Sequence, residues 1–561
     1  MLAMNNDTIT VTFASDGSRR EVTMGTALSE IAAQQTPQHG LPLLAAYVDN
    51  RIKELSYRVY TPVTVEFVDI SSAEGHGVYQ RTAVFMLQHA VREVFPDRRL
   101  FVRHSLGSGV YCEIEGLDAL TDTQTAAIDE RLRALCDADL PVRRLHLPTD
   151  RVREIYDRRG YDDKTALLDT RPRLYSDIYV MGDEAGYFYG ALAPSTGHVR
   201  VFGVKPYFNG FYFMLPDRSN PDVVAAADVH ADKMLDVFRG YKQWVDIMGV
   251  PTVGRLNAKV LADESGELIK IAEAFHEKQI AAIADSIFAA NRSRGVRMVL
   301  ISGPSSSGKT TFAKRLGIQL RILGLDAVSI SLDDYFVDRD QTPRDENGDY
   351  DYEALEAINL ALFNDHLRRL SRGESVNMPR YDFITGRSVA DGTPLTLDSR
   401  SILVIEGIHG LNPQLTPGID DEQKFKIYVS CFTSVAMDNV SRIRTTDNRL
   451  LRRLIRDYRT RGASAVDTLS RWASVRRGEE RHIFPYQENA DVMFNSSLLY
   501  ELSVLSRYAE PILREVPDTM RVYGEARRML KFLDNFISVD PAEVPPTSLL
   551  REFIGGSSFR Y

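Results

Sequence analysis

The stretch "GPSSSGKTT" at 303–311 holds the densest chemistry in the chain. Gly303 and Gly308 bracket four small residues, and Lys309, Thr310 and Thr311 follow. The spacing Gly-x4-Gly-Lys-Thr fits the P-loop pattern. Glycines let the backbone curl until its N–H groups point inward at phosphate oxygens, with Ser305, Ser306 and Ser307 in the turn. Lys309 can reach the β- and γ-phosphates, and the Thr310 hydroxyl can ligate Mg²⁺. The loop therefore predicts a nucleotide site and leaves the reaction open.

Acids downstream narrow the reaction. "DAVSISLDDYF" (326–336) reads as a strand ending in Asp333 and Asp334. "SILVIEGIHGL" (401–411) reads as another, ending in Glu406. Strand ends are where α/β folds place functional side chains, and an acid after an apolar strand can hold the magnesium shell. The plainer alternatives are a surface acid at Glu406 and a helix N-cap pair at 333–334. "RLLRRLIRDYRTRG" (449–462) supplies arginines. At helical spacing Arg449, Arg453 and Arg456 share a face, with Arg452 and Arg459 elsewhere. Such a helix is either a solvated basic surface or a lid that neutralises transferring phosphate.

These groups need a scaffold. "VRMVLIS" (296–302) is a buried parallel strand by pattern, and "TTFAKRLGIQLRIL" continues as a helix. Strand, loop, helix and strand then alternate to about 515, as in a parallel sheet. Before it, 222–292 reads as a helical connector and 71–221 as mixed α+β. "TDTQTAAIDERLRALCDA" (121–138) is an amphipathic helix there, and 197–216 a hairpin. Residues 1–70 read as a small α/β unit. The end, 516–561, is Pro/Gly/Ser-punctuated and reads as a surface extension.

A chain of 561 residues exceeds one hydrophobic core. Hydrophobic content of 44% and charged content of 26% fit a globular protein. A net charge of −9 argues against bulk nucleic-acid binding. Cys112, Cys136 and Cys431 form no metal-spaced cluster, which predicts reduced buried thiols. The N-terminus shows no signal-peptide pattern, and no apolar run reaches 18 residues. A cytoplasmic protein is expected.

From Val296 to about Ser496 the motifs run "GPSSSGKTT", "DDYF", "YDYEALE", "MPRYDF", "IEGIHGL", "RRLIRD" and "ENADVMFN". In this order they resemble the uridine kinase and phosphoribulokinase branch of P-loop kinases. The resemblance implies ATP and Mg²⁺, with Asp333 as the base that takes the 5′-hydroxyl proton. It implies Tyr350 and Asp351 on the sugar hydroxyls, and Phe336, Tyr381 and Phe383 near the base. Arg453 matches a catalytic lid arginine that touches substrate, and Arg456 and Arg461 match phosphate-contacting ones. Three positions depart from the pattern: Gly386 where a histidine helps recognise a pyrimidine, Ala463 in the lid, and Arg471 where a glutamine stands.

The first half resembles other proteins. Residues 7–70 look like a TGS domain, a small ubiquitin-like unit. Residues 71–215 look like the second additional, editing domain of threonyl- and alanyl-tRNA synthetases, on "YQRTAVFMLQHAVREVFPD" and "APSTGHVRVFGV". The family's two metal-binding histidines fall on Arg81 and Phe85, and its later ligands have no match around 190–192. A scaffold without the metal is expected, with His89 partly buried or at the surface.

The expected fold is α/β: a C-terminal P-loop kinase on a parallel sheet, preceded by the ubiquitin-like and α+β units. The leading function is a nucleoside kinase of salvage, uridine or cytidine first. The alternatives are a phosphoribulokinase-like sugar kinase and a translation-linked ATP switch that binds RNA through the N-terminal units. A homo-oligomer is also expected from the resemblance.

Overall fold

The computed structural model describes residues 7–37, 39–225, 232–346, 348–389 and 392–561. Consecutive Val, Leu and Ile residues make strands that can be buried on both faces, the signature of a covered parallel sheet. Met298–Ser302 and Ser401–Glu406 are buried at every residue. Five parallel strands lie in the order Asp326–Ser331, Ser401–Glu406, Met298–Ser302, Lys424–Ser430, Val492–Asn495.

Register decides the site. Glu406 is level with Ser331 on one side and Ile301 on the other. The loops after three neighbouring strands thus open on one edge, bringing 303–311, 332–336 and Glu406 together. Helices Ser265–Arg294 and Lys309–Ile322 cover one face through Ile280, Ile287, Phe312 and Leu316. Helix Leu360–Ser371 covers the other through Phe363 and Leu367. The last turns of the expected connector are therefore part of this core.

Residues 516–561 depart from the expected surface extension. Helix Tyr523–Leu533 and the turns after it bury Met529, Phe532, Leu533, Leu550, Phe553 and Ile554 with the arginine helix Thr445–Thr460. Prolines and glycines there shape turns between buried aliphatic residues.

The first half carries antiparallel and mixed sheets. A five-stranded sheet spans Thr8–Phe13 to Val63–Val68. Helix Ala73–Val94 follows; Ser72 caps it by accepting from the Gly75 amide at 3.0 Å. The hairpin expected at 197–216 forms as Gly203–Tyr207 against Gly210–Met214. Strand Asn220–Val224 precedes the helices of the connector, whose residues 226–231 lie outside the described residues. No described helix is long and apolar enough to cross a membrane.

Candidate active site

Gly303, Ser306 and Gly308 all have positive φ, 155°, 60° and 85°. Added Cβ atoms at Gly303 and Gly308 would lie 1.9 Å from the Val429 carbonyl oxygen and from Leu549 Cδ2. Only glycine allows that approach. The Ser306 and Ser307 hydroxyls are buried without a hydrogen-bond partner, and Lys309 donates to the Pro304 carbonyl at 3.2 Å. Unpaired buried donors around a curled backbone fit a phosphate chain. Burial pushes the Lys309 ammonium below the ordinary lysine value, while Glu406 and then Asp333 act to raise it.

Thr310 and Ser331 both donate to Glu406 Oε1, at 3.1 and 3.0 Å. Burial pushes the Glu406 carboxyl up to about 7, with Asp333 adding and Lys309 opposing. Two hydroxyls and a carboxylate form an oxygen set that suits a hard divalent cation such as Mg²⁺. Asp333 stands in the short turn Leu332–Tyr335, partly exposed, within electrostatic reach of Lys309 and Glu406.

Beside Asp333 rise aromatic rings. Phe336 meets Tyr381 at 5.5 Å and Phe383 at 6.3 Å between centroids; Tyr381 and Phe383 lie 5.2 Å apart. Tyr352, which the motif pattern does not assign, joins Phe336 at 6.3 Å and Tyr350 at 6.0 Å. Asp351 accepts from the Glu353 amide at 3.1 Å and lies 3.8 Å from His482. Gly386 has φ 72°, and an added Cβ would lie 2.6 Å from the Arg339 guanidinium carbon. Arg339 donates to the Phe383 carbonyl at 2.9 Å, so an arginine crowds the place of the departed histidine.

The arginines divide differently from the helical-wheel expectation. Arg449 and Arg452 are both fully buried. Arg449 donates to both oxygens of Glu479, whose Oε1 accepts from the Ser305 amide at 3.1 Å. Arg452 pairs with Glu501 and donates to the Ser496 carbonyl at 2.8 Å, with the Ser306 and Ser307 carbonyls at 3.5 Å. They brace the loop from behind.

Arg453 donates to the Ser305 hydroxyl of the glycine loop at 3.0 Å. Arg456 pairs with Asp457 at 2.8 Å. Arg461, expected on phosphates, lies 4.8 Å from the Phe383 ring centroid, because the helix ends at Thr460 and the chain turns there toward the aromatic side. Arg456 beside it, then burial, bring the Arg461 guanidinium down to about 10. Arg471 is exposed on helix Ala465–His482.

Glu479, Glu501 and Glu552 were not singled out from sequence. Glu552 accepts from the Thr311 hydroxyl at 2.5 Å and from its amide at 3.3 Å, and the Tyr561 hydroxyl lies 2.8 Å from the same Thr311 oxygen. No short-range pattern links residues some 240 positions apart.

In the first half, Arg81 pairs with Glu74 at 2.8 Å and donates to the Ala191 carbonyl at 2.9 Å. Phe85 packs on Phe188 at 5.4 Å. Among the described residues, no three or more His, Cys, Asp or Glu side chains come together to hold a metal ion. His89 is buried, facing Glu93 at 3.4 Å, Asp183 at 3.5 Å and Glu184 at 3.8 Å.

Comparison with known proteins agrees with this division. Residues 298–501 match the phosphoribulokinase / uridine kinase family. The N-terminal region matches threonine–tRNA ligases. That of Symbiobacterium thermophilum is 30% identical over 188 residues, 33% of this chain and 29% of the ligase. This chain thus spans under a third of the length of such relatives. Among solved structures, a possible uridine kinase from Bacillus stearothermophilus aligns at 21% identity, 39% of this chain and 98% of that one, TM-score 0.27. D-glycerate 3-kinase from Cryptococcus neoformans var. grubii aligns at 16% identity, 46% and 87%, TM-score 0.22.

Proposed function

We propose that the chain is an ATP- and Mg²⁺-dependent kinase that phosphorylates the 5′-hydroxyl of a nucleoside, with uridine and cytidine the first substrates to test. The observation that carries this reading is the meeting of Asp333, Lys309 and Glu406 at one sheet edge, under the Phe336–Tyr381–Phe383 wall. Flat rings suit a planar base better than an open sugar.

In this mechanism the loop amides and Lys309 hold the donor phosphates. The acceptor hydroxyl gives its proton to the Asp333 carboxylate while its oxygen bonds to the γ-phosphorus. The bond from that phosphorus to the β–γ bridging oxygen breaks, and ADP leaves. Arg453 and Arg456 offset the charge on the transferring group, and Arg461 with Phe383 flanks the acceptor. Mg²⁺, held by Thr310 and Glu406, would neutralise phosphate charge.

ADP release with ATP, Mg²⁺ and a panel of nucleosides and sugar phosphates tests this. Turnover with a nucleoside supports it; turnover restricted to sugar phosphates or polyols overturns it.

A further inference from the structure

A cavity lies away from the P-loop, where three parts of the molecule meet. Helices Thr149–Asp157 and Asp162–Asp169 and strand Tyr175–Met181 form one side. Asp438, ahead of the arginine helix, and Lys531, on helix Tyr523–Leu533, close the other. Its volume is ≈ 90 Å³. One water needs on the order of 10–15 Å³, so this space takes several waters or a small ion.

Its polar atoms are under-partnered. The Tyr156 hydroxyl, Lys164 Nζ, Arg171 Nε and Asp438 Oδ2 are buried with no hydrogen-bond partner. Buried polar groups are normally satisfied, so four such atoms on one cavity need an explanation. The charges are also unequal. Asp438 is already neutralised: its Oδ1 lies 3.0 Å from Lys164 Nζ and accepts the Val440 and Ser441 amides at 2.9 and 2.8 Å. Asp177 on the opposite wall is held by Arg144 and by His146 at 2.9 Å. Arg173 at the rim is paired with Asp534 at 3.1 Å.

Arg171 and Lys531, by contrast, make no ion pair with a carboxylate among the described residues, although Asp177 and Glu54 lie within electrostatic reach of Lys531. Arg171 lies 5.6 Å from the Tyr187 ring centroid. Burial, then the nearby Arg144, bring the Lys531 ammonium down to about 8, with Asp177 and Glu54 opposing. Two cations facing one enclosed space repel each other, and an anion between them relieves both the repulsion and the lost hydration.

We propose that this cavity binds a small oxyanion, a phosphate or carboxylate group, between Arg171 and Lys531, with the Tyr156 hydroxyl at its floor. The same wall grips the segment that leads into the arginine helix. Asp163 accepts from the Asn439 amide at 2.7 Å, and Ser441 donates to the Tyr187 carbonyl at 3.1 Å. A ligand here sits within the joint between the N-terminal half and the kinase region.

The test titrates inorganic phosphate, and separately acetate, into the full chain, read by thermal unfolding and calorimetry. The P-loop is a competing phosphate site, so the series includes Lys309→Ala. One or both anions should raise Tm in the wild type and in Lys309→Ala alike. Arg171→Gln and Lys531→Gln should each weaken that binding about tenfold or more, and Lys531→Arg should keep it. Response to phosphate alone identifies a phosphoryl ligand, and response to acetate a carboxylate. An effect that disappears in Lys309→Ala, or persists unchanged in Arg171→Gln and Lys531→Gln, overturns the proposal. Absence of any effect in the wild type overturns it as well.

Discussion

Glu552 holds Thr311 by both its hydroxyl and its amide, at 2.5 and 3.3 Å. Thr311 lies in the first turn of the P-loop helix, where backbone donors and the helix end favour an anion. A carboxylate of the chain itself has taken that position. It also raises the Lys309 ammonium pKa, so it is felt at the phosphate site.

A nucleotide phosphate arriving there meets this negative charge. Glu552→Gln should therefore tighten ATP binding. The relief is roughly 1 kcal/mol, about fivefold in affinity, for partly screened charges. Calorimetric titration of ATP into both proteins measures it. Weaker binding in the variant would show that Glu552 supports the nucleotide site.

Asp333→Asn keeps the size of the side chain and removes its basicity. Turnover should fall by roughly 10²–10⁴, the usual range for a positioned base. ATP affinity should hold within about twofold, since the loop and Lys309 are untouched. A variant with near-normal turnover identifies a different base.

Glu353 gives a pH signature. Burial pushes its carboxyl from 4.5 up to about 7, with Arg453 opposing and Glu479 and Asp351 adding. The folded chain holds this proton to about 7, and the unfolded chain loses it near 4.5. Between those values the folded state binds more protons, so this group lowers stability as pH rises. Above pH 7 the loss is complete. Glu353→Gln should stabilise the protein at pH 8 by roughly 2 kcal/mol and flatten the Tm-against-pH curve between pH 5 and 7. Parallel curves for the two proteins would count against it.

Arg452→Leu leaves Glu501 buried without its cation, among Asn448, Ser497 and Cys431. Removing one member of a buried pair costs about 3–5 kcal/mol. Urea denaturation should show that loss. Arg459→Leu serves as the control: Arg459 caps the Phe553 carbonyl at 2.7 Å and makes no ion pair among the described residues, so its loss should be roughly 1 kcal/mol.

The parallel sheet and the donor half of the site were legible because they are local. The strand at Met298, the glycines at 303 and 308 and the helix from Lys309 are contiguous, Glu406 ends a strand and Asp333 stands in the turn just after one. Arg449 and Arg452 were harder to read. A helical wheel sorts residues by angle, and cannot show that Glu479 and Glu501 arrive from other helices to neutralise a charged face. Glu552 left no sequence signal, since only tertiary packing brings it to Thr311. The 516–561 segment misled because turn residues are frequent there, while its aliphatic residues lack a clear period.

The Arg81 guanidinium lies against Gly190, where an added Cβ would fall 2.6 Å from its central carbon, and Phe85 presses on Phe188. The resemblance to editing domains places two histidines at these helix positions. Both side chains are locked in by their neighbours. Arg81→His alone would strand Glu74 without its cation and leave a void over Gly190. Phe85→His alone would bury an imidazole among rings. Either substitution alone costs stability with no metal present to compensate, so a histidine pair could enter here only by both changes together.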